Sequence, residues 1–239
     1  MESSCKKTAI QQLVRARQAA RHPKHWALSE ISSGFYDCDF VSPRTKSACN
    51  LDADLMIVGQ DWVSEPFLRA RSEVLQRLGH DPRLPTNKNL QRLLREQFGM
   101  AFADTYATNV FTFVKAGDMS APVPMPDLAD CARRFLLPQI EIVRPRMAIC
   151  LGQATFNSVR RALRVPPLSL NEAGQPSGHT TYFGSEIYGS PHLGARGTAN
   201  AGGLNNVARL WQAFADRLAV RRAMGRAAVL PPEPPPLRA

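Results

Sequence analysis

Leu55-Met-Ile-Val58 is an unbroken apolar run closed by Gly59. It lacks the alternation of a half-exposed strand and suits a strand buried on both faces of a parallel sheet. Three further segments repeat the theme. Thr105–Phe111 reads as a second strand. Arg146–Leu151 reads as a third, closed by Gly152. Thr181–Tyr188 holds a fourth strand or a hairpin and is closed by Gly189. Helical stretches lie around and between them: Thr8–Arg21, Pro66–Leu78, a helix opened by Pro85-Thr86-Asn87 and running through Phe98, Leu128–Val143, and Gln153–Leu163. Thr86 or Asn87 is the expected cap of the third. Leu204–Ala223 closes the series, with Leu204, Val207, Leu210, Trp211, Phe214 and Leu218 on one side. Strands alternating with helices predict a three-layer α/β/α sandwich with a four-stranded parallel core sheet.

The chain has 239 residues, enough for one α/β domain with a substantial core. Residues 1–52 read as an N-terminal helix followed by a wrapping loop (His22–Asp52) belonging to the same domain. Residues 53–223 carry the sheet. Residues 224–239 form a tail whose sequence after Arg226, AAVLPPEPPPLRA, is expected to be disordered or loosely tethered. No apolar run approaches the ~18 residues of a membrane span, and no secretory leader is recognisable. The expectation is a cytoplasmic monomer with no membrane partner.

Formal net charge is +10, and 24 of the 30 basic residues are Arg. Guanidinium forks match phosphate, so nucleic acid is the first partner to consider. A basic surface with no dedicated partner is the alternative. The five cysteines (Cys5, Cys38, Cys49, Cys131, Cys150) contain no CxxC pair. Neither a disulfide framework nor a zinc ribbon is indicated, and Cys150, inside an apolar run, is expected in the core.

Open parallel sheets bind ligands outside the carboxyl ends of their strands. Here those ends read Gly59-Gln60-Asp61-Trp62, Thr108-Asn109-Val110-Phe111, Leu151-Gly152-Gln153 and Ser190-Pro191-His192-Leu193-Gly194. An acid, an amide and an imidazole therefore converge on one rim.

These motifs, with Pro85-Thr86-Asn87-Lys88-Asn89 and the RPRMAICLG run from Arg144 to Gly152, resemble the uracil-DNA glycosylase superfamily over roughly residues 50–215. Gly59-Gln60-Asp61 is similar to its water-activating motif, and Pro85–Asn89 to its phosphate-gripping segment. Ser190-Pro191-His192 resembles the start of the segment that carries a catalytic His. The resemblance implies a monofunctional hydrolase that flips a base from DNA, cleaves its glycosidic bond and leaves an abasic site. It implies no metal and no organic cofactor. A related branch holds a four-Cys iron–sulfur cluster. Cys131 falls near its last ligand, but the N-terminal cysteine pair is missing and Phe113 stands near the third, so no cluster is expected.

Each residue receives an expected role with a plainer alternative beside it. Asp61 orients water and stabilises the cationic sugar; otherwise it is a helix cap. His192 faces charge developing on the leaving base; otherwise it is a packing loop histidine. Asn109 reads the base edge with its amide, or else satisfies turn backbone. Gln60 contributes its backbone N–H. Val63 stands where the family's thymine-excluding Tyr falls, and Trp62 is a substitute blocker. Trp62 and Phe111 are the candidates to stack on the flipped base, or are core. Pro85, Thr86, Asn87, Lys88, Gly152, Gln153, Gly194 and Arg196 are the DNA-contacting set, with Arg196 entering the gap left by flipping. Leu193-Gly194-Ala195 departs from the family's Pro-Ser-Pro and loses a phosphate-contacting Ser. The other readings are a non-catalytic binder of abasic or single-stranded DNA, a glycosylase for hypoxanthine or xanthine, and a small-molecule α/β enzyme.

Overall fold

A computed structural model describes residues 3–227. The expected tail therefore lies almost wholly outside the described residues. The elements in order are α1 (Ser3–Ala19), β1 (Leu55–Gly59), α2 (Glu65–Arg69), α3 (Glu73–Leu78), α4 (Pro85–Phe98), β2 (Tyr106–Asn109), α5 (Met125–Cys131), α6 (Leu137–Val143), β3 (Met147–Leu151), α7 (Gln153–Ala162), α8 (Leu170–Ala173), β4 (Thr180–Tyr182), β5 (Ser185–Ser190), α9 (Ala195–Asn200) and α10 (Leu204–Ala227). The sheet order is β2-β1-β3-β5-β4.

Four strands, β2, β1, β3 and β5, are parallel as expected. The sheet has a fifth strand, which corrects the four-stranded count. β4 pairs antiparallel with β5 at the edge, with Tyr182 opposite Ser185. The two intervening residues, Phe183 and Gly184, both have positive φ (48° and 80°). That is the requirement of a tight hairpin turn whose twist matches its strands.

Successive strand residues face opposite layers. Met56, Val58, Ala148, Cys150 and Ile187 pack with Ile10 and Val14 of α1 and with Leu128, Ile140 and Phe156. Leu55, Ile57, Ile149 and Tyr188 pack on the other side with Leu90 and Leu94 of α4 and with Trp211, Phe214 and Leu218 of α10. α1 thus contributes Ile10 and Val14 to the same core as one face of the sheet. A third cluster, Leu28, Ile31, Tyr36, Val63, Leu68 and Leu75, lies under the wrapping loop.

Two helices differ from expectation. Pro66–Leu78 is broken into α2 and α3. The Tyr36 hydroxyl occupies the break, donating to Leu68 O (3.2 Å) and accepting from Ser72 N (2.7 Å). Ser72 then caps α3 through its side chain. The 128–143 helix is continuous from α5 to α6 but widens to a π turn over Ala132–Leu136. Pro138 follows one residue after Leu137 and has no N–H for an i→i−4 bond, so the ladder opens ahead of it.

Candidate active site

The register brings the four parallel strand ends level. Gly59 pairs with Asn109, Val58 with Cys150, and Leu151 with Ser190. The loop after β1 is pinned along its length. Val110 N donates to Gly59 O and Phe111 N to Gln60 O, at 2.9 and 2.7 Å. The Asn109 side chain crosses over Gly59, where an added Cβ would lie 2.5 Å from Nδ2. Only glycine admits the amide there.

Asp61 is half-buried at the centre of the rim. Its Oδ1 accepts from Gln60 Nε2 (3.0 Å) and its Oδ2 pairs with Lys115 Nζ (2.9 Å). Lys115 is 2% exposed and also donates to Met119 O (2.7 Å) and Ala121 O (3.0 Å). The lysine sits on a strip fixed from both sides, by Trp26 against Val114 and by Glu65 N to Lys115 O. The carboxylate therefore has a fixed direction and a buried counter-charge. The sequence offered one signal for Lys115, a cation directly after the mostly apolar stretch Phe111-Thr112-Phe113-Val114.

His192 lies on the loop after β5, at the same sheet rim as Asp61. Gly194 N donates to His192 Nδ1 at 3.1 Å, so the neutral ring carries its proton on Nε2. Its pKa is lowered below the ordinary histidine value. Burial by surrounding protein is the main cause although the ring edge reaches solvent; Arg44 adds to the lowering and Asp61 opposes it. The site thus offers a neutral imidazole donor. Gly197 closes the loop: an added Cβ would lie 2.1 Å from His192 O. Asn89 Nδ2 donates to Leu193 O (2.8 Å), joining α4 to this loop. Thr86 comes to the same point, since a Cβ on Gly194 would approach Thr86 Oγ1 to 3.1 Å. A cleft of about 370 Å³ opens on the other flank of His192, lined by Gly152, Gln153, Pro191, Asn171 and Gly197. Asp61 and Asn109 do not line it.

Several residues expected at the site are held by contacts within the protein. Asn109 is 1% exposed, and its amide is fully engaged, Nδ2 donating to Asp61 O (2.8 Å) and Oδ1 accepting from Ser42 Oγ (2.7 Å). In this arrangement it anchors the Asp61 loop. Asn87 is buried, with Nδ2 on Asp81 O and Oδ1 accepting from Arg44. It is not the cap of α4, whose N-cap is Leu84 with no side-chain bond; Thr86 is not the cap either. Phe111 is 1% exposed, edge-on to His25, and Val63 is buried in the third cluster. Trp62 donates through Nε1 to Gly79 O (2.7 Å) and packs on Tyr36. Of the two stacking candidates, Phe111 lies in the core and Trp62 stays half-buried. Lys88, Gln153 and Arg196 are exposed.

No curated protein matches the chain. The profile described as Uracil DNA glycosylase superfamily matches residues 46–215, which contain Asp61, Lys115 and His192 and the four parallel strands that carry the rim. An acid and a neutral imidazole at the level carboxyl ends of a parallel sheet, within a match covering most of the chain, place this protein in the uracil-DNA glycosylase superfamily.

Proposed function

We propose that this DNA-glycosylase-type protein hydrolyses the N-glycosidic bond of uracil in DNA and leaves an abasic site. The observation that carries the reading is the pairing of a directed carboxylate, Asp61, with a neutral donor, His192, across one rim. Glycosidic cleavage builds positive charge on the sugar and negative charge on the departing base. Asp61 answers the first and aligns the attacking water; the Nε2–H of His192 answers the second. Lys115 and Gln60 hold the carboxylate so that little reorganisation accompanies reaction. Exposed Lys88 and Arg196 supply salt-sensitive contacts to the backbone. Mispaired or single-stranded uracil is the cheapest to extract, because less stacking and pairing is lost.

A second reading keeps the chemistry and changes the base. The Asn109 amide is buried in hydrogen bonds to Asp61 O and Ser42 Oγ, and the smaller Val63 stands where the family's thymine-excluding Tyr falls. That favours a broader range of deaminated bases, hypoxanthine and xanthine included. The test is base release from labelled oligonucleotides carrying uracil, hypoxanthine or xanthine, single-stranded and mispaired, followed by alkaline cleavage. Release of uracil alone supports the first reading and release of a purine the second. Salt-sensitive binding without release from any substrate would overturn both in favour of a non-catalytic DNA binder.

A further inference from the structure

One charge near the rim is unbalanced. Arg44, on the 3₁₀ turn Pro43–Ser47, is 8% exposed. Its Nη2 donates to Asn87 Oδ1 (3.0 Å), its Nε has no partner, and its guanidinium lies 5.7 Å from the Phe102 ring centre. No acidic group opposes it among the described residues, and burial alone lowers its pKa to about 10. Arg17 of α1, 3% exposed, shares the unpartnered Nε but pairs with Asp37 and donates to two carbonyls. What sets Arg44 apart is the missing anion: a buried guanidinium without one is costly, and a bound anion would offset that cost.

The direction of Arg44 identifies that ligand. Asn87, its one hydrogen-bond partner, is the third residue of the 14-residue helix α4, whose N-terminus has no side-chain cap. Thr86 lies one residue away, beside Gly194. The charge of Arg44 is also felt at His192. The guanidinium therefore backs the ledge where the start of α4 meets the His192 loop. We propose that Arg44 is an anion-binding residue that takes a phosphate of a nucleic-acid strand laid across the first turn of α4. Helix N–H groups and the planar fork suit a phosphate oxygen together. Asn87 then aims Arg44 and does not touch the strand itself. The nature of the polyanion rests on the proposed glycosylase function; the anion site does not.

The test compares wild type with Arg44→Met and Arg44→Lys. Melting temperatures are measured in inorganic phosphate and in chloride at equal ionic strength. Binding of a labelled oligonucleotide with a non-cleavable abasic analogue is followed over a salt series. The expected results are that Arg44→Met melts above wild type in chloride and that only wild type and Arg44→Lys gain from phosphate. Arg44→Met should bind DNA about tenfold more weakly. Its salt slope should fall by roughly 0.7–0.9, the share of one phosphate. Arg44→Lys should restore the slope but not the full affinity, because it lacks the fork. A variant that melts lower, with an unchanged phosphate response and salt slope, would make Arg44 a strut between turn and helix and overturn the proposal. A phosphate response with unchanged DNA binding would overturn the nucleic-acid assignment. If wild type releases no base yet Arg44→Met shows these losses, the anion site stands and the glycosylase reading fails.

Discussion

Replacing Lys115 by Met should expose how the carboxylate of Asp61 is held. The substitution keeps the side chain's length and removes its ammonium. Asp61 is then left with Gln60 Nε2 alone, and the Met119 and Ala121 carbonyls lose their donor. Breaking a buried pair by removing one partner costs about 3–5 kcal/mol. For a chain of this size each kcal/mol lowers Tm by about 2–4 °C, so the fall should be roughly 6–20 °C. Asp61→Asn keeps an oxygen for Lys115 and should cost less, about 1–3 kcal/mol. The double variant removes both charges and should melt above Lys115→Met, a coupling of about 1–3 kcal/mol. Activity should order differently. Single-turnover base release should fall about 10²–10⁴-fold in Asp61→Asn, equivalent to about 3–5 kcal/mol of barrier. Lys115→Met keeps the carboxylate and should lose less rate. The assays are thermal melts and single-turnover cleavage of a uracil oligonucleotide. If Lys115→Met melts like wild type and the double variant gains nothing, Lys115 does not compensate Asp61. If Asp61→Asn cleaves like wild type, the mechanism is wrong.

Three further outcomes follow from the geometry. Gly197→Ala should displace the His192 loop, because the new methyl would sit 2.1 Å from His192 O; base release should fall at least tenfold with Tm nearly unchanged, since α9 has no buried side chain, and equal rates would show that the loop relaxes freely. Asn109→Ala removes the bonds to Asp61 O and Ser42 Oγ and should cost about 1–3 kcal/mol; if it instead leaves Tm intact and relaxes base choice in the oligonucleotide panel, Asn109 reads the base after all. Stability should fall on acidification in two stages. His25, His80 and His192 have pKa values lowered chiefly by burial, so the unfolded chain binds protons first as pH drops below about 6.5, and folding loses stability there. Glu186, held at about 2 first by its hydrogen bond from Arg217, is worth about 3 kcal/mol above pH 4.5, lost as pH falls toward 2. Urea denaturation at stepped pH reads both stages, and stability that rises between pH 7 and 5 would contradict the histidine assignment.

What the sequence determined by itself was local. Apolar runs closed by Gly59 and Gly152 marked β1 and β3, because buried strands need both faces apolar whatever surrounds them. The strand ends then located Asp61 and His192, since a doubly wound sheet has one ligand-binding rim. The partnerships were decided only by tertiary structure. Ser42 and Asn109 are 67 residues apart, Asn89 and Leu193 104 apart, and neither distance leaves a periodic trace in the chain. The break between α2 and α3 was equally hidden, because the Tyr36 hydroxyl that fills it comes from a distant loop. Amide and guanidinium groups carry the same letter whether they face solvent, a ligand or a buried backbone group. Asn109 and Asn87 were therefore legible as polar residues at the rim, while their burial, and that of Lys115 and Arg44, came from how the wrapping segment and the loop after β2 pack over the strand ends.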